Sequence, residues 1–100
     1  MERDIEMVVS RFRDEASNLF MAISADFERN AQKLNRLQDE NVFQQMQGRY
    51  VQELKKQLAE AAEKTIGQYS GKVSENALRR ELSDQIAYYV AEFLLKARSM

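Results

Sequence analysis

The side chains able to do chemistry in this chain are carboxylates, amides, phenols and guanidinium groups, because histidine and cysteine are both absent. Without histidine the commonest general base and the commonest metal ligand are missing. The Glu-x-x-His pairs that hold di-metal centres in carboxylate bundles are missing with it. Without cysteine there is no thiol nucleophile, no thiolate metal site and no disulfide framework. Glu60 and Glu63 are spaced to share a helix face, and a solvated face accounts for them. Gly67 and Gly71 lack the preceding strand and the Lys-Ser/Thr pair of a phosphate-cradling loop. Serine, threonine and lysine occur in no recognisable nucleophile arrangement. The expectation is a non-enzyme with no catalytic residue, no cofactor and no metal.

Recognition chemistry is better represented. Asn30, Gln47 and Gln57 lie in or beside apolar stripes. Most simply they sit at the stripe's edge. A buried amide among them would instead fix helix register or oligomer number. Tyr50, Tyr69 and Tyr89 read as amphipathic residues at the core's margin. Tyr88 differs: on a helical wheel Tyr88, Ala91 and Leu95 point nearly opposite to Tyr89 and Phe93. That second apolar face implies either a sandwiched helix or a contact with a partner chain, and Tyr88, Ala91 and Leu95 are the expected partner-binding residues. Arg11 with Arg13, and Arg79 with Arg80, give a local basis for nucleic-acid binding. Paired arginines on solvated helices are common, so this is the least favoured partner class.

The elements that must carry these residues follow from composition and periodicity. The chain has 100 residues, the usual size of one domain. Proline is absent and glycine occurs three times, so hairpins and sandwiches lack their turn residues. An all-α fold follows. With 44% hydrophobic and 31% charged residues, the chain has the makeup of a folded domain rather than a disordered tail. Net charge is −1, and acidic and basic residues nearly cancel within each third of the sequence; non-specific phosphate binding is therefore disfavoured. No apolar run reaches the ~18 residues of a membrane span, and the charged N-terminus lacks a leader's apolar region. A cytoplasmic location is expected.

The longest pattern runs from Ile5 to Leu37. Ile5, Phe12, Leu19, Ile23, Phe27 and their neighbours stay within an arc of ~120° over nine turns. This predicts one long helix over residues 2–37, ~50 Å along the stripe. Ser24 could cap a new helix and split it, against the unbroken phase. The pattern restarts at Val42 and Phe43, predicting a second helix over 42–66, capped by Asp39 or Asn41 and ended by Gly67. Residues 67–73 read as a loop. Ser74 caps a third helix over 75–98, with Val73 and Leu78 at the spacing of a hydrophobic staple.

The expected architecture is an elongated antiparallel three-helix bundle, or a helical hairpin with one long N-terminal helix. A stripe so long is not easily covered at both ends by two shorter helices, so a second copy is expected to cover part of it. Ile5, Phe12, Leu19, Ile23 and Phe27 would then form the core of a homodimer, two-fold symmetry being the default. The expected function is a non-enzymatic protein-binding module: an adaptor, chaperone or inhibitor of a larger protein machine. The alternative is a purely structural homo-oligomeric rod or spacer.

Overall fold

A computed structural model describes residues 2–35 and 38–99, and the side chains from Asp4 onward within them. Three helices make up the described chain: α1 (Glu2–Ala31), α2 (Glu40–Gln68) and α3 (Glu75–Arg98). Phe27 and Tyr50 are 5.3 Å apart between ring centroids, and Arg11 reaches Tyr69. Late α1 thus meets early α2, and early α1 meets late α2. Arg13 bonds Gln85 while Phe27 packs on Phe93, so α1 and α3 run the same way. The body measures 53 × 16 × 16 Å, with a radius of gyration of 15.8 Å; a ball of this chain length would have ~13 Å.

The long helix stops earlier than its apolar phase suggests. Helix α1 ends at Ala31, and Lys33 and Leu34 N–H groups turn back to the Asn30 and Ala31 carbonyls. Leu34 leaves the helix but stays half-buried against the core; Leu37 lies outside the described residues. The reversal is held by Asp39, whose carboxylate accepts from the Asn35 N–H at 2.9 Å. Asp39 occupies the N-cap position of α2, yet its side chain makes no cap bond, because it serves the turn instead. Ser24 does not split α1, which is continuous through it.

Helix α2 begins two residues before the expected boundary and runs through Gly67 to Gln68. The left-handed position is Gly71, with φ of 80°. It is the third residue of a turn closed by Lys72 N–H donating to the Tyr69 carbonyl at 3.0 Å, where a positive φ favours glycine. Ser74 then caps α3, its Oγ accepting from Ala77 N–H at 3.4 Å. Helix α3 matches the expected bounds.

The core runs the length of the rod. Phe12 and Phe27 from α1, Leu54 and Leu58 from α2, and Leu78, Leu82 and Phe93 from α3 are almost wholly buried. Phe27 is its hub: its ring meets Phe43 and Tyr50 of α2 and Phe93 of α3, with centroids 5.1 to 5.6 Å apart. This revises the expected oligomer core. Phe12, Ile23 and Phe27 are buried by the chain's own helices, and Ile5 and Leu19 are half-buried against the same core. With α1 at 30 residues and α2 at 29, the two are nearly equal in length, and Ile5, Phe12, Leu19, Ile23, Phe27 and Leu34 are all buried or half-buried.

Candidate functional site

Two groups of polar and aromatic residues stand out, one joining helices and one facing solvent. The first is built on Tyr50. Its hydroxyl donates to Asp26 Oδ2 at 2.6 Å and accepts from Asn30 Nδ2 at 2.7 Å. Asp26 and Asn30 are four apart on α1, so they share a face and bracket one phenol from α2. Arg29 adds a 2.9 Å ion pair to the other Asp26 oxygen. The Tyr50 hydrogen bond, with Arg29 assisting, holds the Asp26 carboxyl below the ordinary carboxylate range. Burial, and then the Asp26 hydrogen bond, push the Tyr50 phenol above its ordinary range. A carboxylate kept ionised and a phenol kept protonated form a fixed donor–acceptor pair. It has little to offer as an acid or base near neutrality, and it sets the register of α1 on α2.

Of the three amides singled out from the sequence, only Asn30 is shown bridging helices. Gln57 donates to Glu53 on its own helix at 2.8 Å, and Gln47 is half-buried. Glu60 and Glu63 are both exposed, and Glu63 is taken by Arg79 at 2.7 Å. That contact keeps the Glu63 carboxyl ionised below its ordinary range. Among the described residues no group of three acidic side chains is placed to hold a metal ion. Three of the four arginines that suggested phosphate binding are engaged within the chain. Arg11 donates to Tyr69 at 2.6 Å, Arg13 to Gln85 at 2.9 Å, and Arg79 to Glu63.

The second group is the outer face of α3. Tyr88 and Leu95 are each 55% exposed, Ala91 between them is exposed, and Leu94 beside them is 36% exposed. Neither α1 nor α2 covers them. The inward side of the same helix is buried through Leu78, Leu82, Phe93 and Ala97. Tyr88 is not loosely held: its ring meets Tyr89 edge-on at 5.3 Å, and Tyr89 packs on Phe20 at 5.6 Å. The Tyr89 hydroxyl donates to the Arg13 carbonyl at 3.4 Å, and burial pushes its phenol above the ordinary range. A half-buried, anchored neighbour therefore backs an exposed aromatic ring. The structure brings Tyr88, Ala91 and Leu95 into one outward stripe and places the α1 residues of the expected oligomer core elsewhere, in the interior. No described helix is long and apolar enough to cross a membrane. No family model, no curated protein and no solved structure matches this chain.

Proposed function

We propose that the protein is a non-enzymatic protein-binding module whose contact surface is the outer face of α3, around Tyr88, Ala91 and Leu95. One observation carries the reading: two large apolar side chains, Tyr88 and Leu95, are each 55% exposed on one face of one helix, whereas Met7, Met21 and Val42, also exposed, lie on the other two helices. Scattered single apolar residues need no explanation, but a stripe spaced i, i+3 and i+7 is a surface that binding would cover. Tyrosine is also enriched among residues that dominate interface energy. Engaged arginines and near-neutral charge support a protein partner over a nucleic acid. Adaptor, chaperone or inhibitor of a larger machine are the roles this surface suits. A cytoplasmic setting is part of the same proposal and is compatible with the cysteine-free composition.

The test is a pull-down from the native host with the parent chain and with Tyr88→Glu/Leu95→Glu. The reading predicts a specific protein retained by the parent and lost by a variant that keeps its helical signal and melting temperature. Equal retention by both chains would overturn it.

A further inference from the structure

The outward face of α3 extends beyond its apolar centre. Glu81, Asp84, Tyr88, Ala91, Leu95 and Arg98 recur at alternating spacings of three and four, the seam by which two helices pack side by side. All six are exposed. Charge along the seam is ordered. Glu81 and Asp84 stand at its start, Arg98 at its end with Lys96 alongside, and none of these four makes an ion pair within the described chain. At the acidic end the seam borders a groove between α1 and α3. Ile5, Val9 and Ala77 give it an apolar lining, and Glu6 and Glu81 stand on it. Arg13, in the same groove, is held by Gln85.

We propose that this face is occupied by a second copy of the chain, α3 against α3 in opposite directions, about a two-fold axis near Tyr88 and Ala91. The inference rests on the contact surface proposed above and names its occupant. Direction follows from charge. A parallel pair stacks Glu81 and Asp84 on their own counterparts and Arg98 on its own. Reversal brings Arg98 of each copy to Glu81 and Asp84 of the other, twice in one symmetric contact. It also sets the two Tyr88 rings near the centre, where interface energy concentrates. Asp84 and Arg98 are ~21 Å apart along the helix, so both ends engage together.

The experiment is sedimentation equilibrium on the full chain and on exposed-charge variants, each checked by circular dichroism and melting temperature. The parent should approach twice its 11.7 kDa mass at micromolar concentration. Glu81→Lys and Arg98→Glu, each alone, should weaken association at least about tenfold, since two attractive contacts become repulsive. An equimolar mixture of these two variants should recover association, because positions 81 and 98 are again opposite in sign at both ends of the mixed pair. A parent that stays monomeric overturns the proposal. So does association indifferent to the single changes, or a mixture no tighter than its parts. A monomeric parent that still loses a host protein on Tyr88→Glu/Leu95→Glu overturns the second copy alone and leaves the proposed function standing.

Discussion

Tyr50 concentrates the polar specificity of the fold in one hydroxyl. It donates a hydrogen bond to Asp26 and accepts one from Asn30, so Tyr50→Phe strands two partners on α1 at the cost of one atom. At half-exposed sites water replaces part of the loss, and the expected destabilisation is about 1 kcal/mol. Its pH dependence identifies the cause. Asp26 lies below its ordinary value of 3.8, so its share of stability is present above that value and is lost as pH falls through the folded-state value. Tyr50 lies above its ordinary 10.0, so its share is present below that value and is lost as pH rises through the folded-state value. Urea titrations of parent and variant should therefore differ fully between about pH 4 and 10 and converge beyond both ends. A gap that stays constant with pH would mean that the phenyl ring's packing, not the hydroxyl, had been disturbed. Asn30 was legible as a polar residue on an apolar stripe. Its partners were not, because a wheel shows which face a residue is on and not which phenol the neighbouring helix brings to it.

At the scale of elements, a boundary was readable where a side chain makes the cap itself, and less so where only a residue type or nothing marked it. Ser74 announces α3 by a side chain that caps its own helix, and both ends of that helix were placed correctly. The end of α1 has no proline and no glycine to mark it. It is set by Asp39 holding Asn35 and by the gain from packing Phe43 on Phe27, both non-local to the residues where the helix stops. Two substitutions separate these cases. Ser74→Ala removes the cap and should cost about 1 kcal/mol in chemical denaturation. Gly67 was expected to end α2 in the left-handed region, but it lies within the helix, and a methyl group there meets nothing within 4 Å. Gly67→Ala should therefore stabilise by roughly 0.5–1 kcal/mol. A destabilised Gly67→Ala would restore the original reading of the C-cap.

For the whole molecule, the decisive question is what closes the α1 stripe. Its phase holds to Ala31, but Leu34 was counted as helix, and the second helix was taken as too short to match it. With α1 and α2 nearly equal and α3 alongside, the chain buries the described part of its own stripe, and the association proposed above is placed on the outer seam of α3. Phe27 tests this. It is 1% exposed and touches rings from both other helices. Phe27→Ala removes a large side chain that little can collapse to replace, and it should cost about 3–5 kcal/mol. Total stability for a domain is ~5–15 kcal/mol, so the melting temperature should fall by roughly 12 °C or more. Because Phe27 belongs to the interior of a single chain, that loss should persist at protein concentrations low enough to dissociate any dimer. Tyr88→Glu should do the reverse, weakening association while leaving the dilute melting temperature near that of the parent. If Phe27→Ala instead melted like the parent when dilute and lost only its association, the stripe would belong to an interface between copies, and the three helices would not be a closed unit.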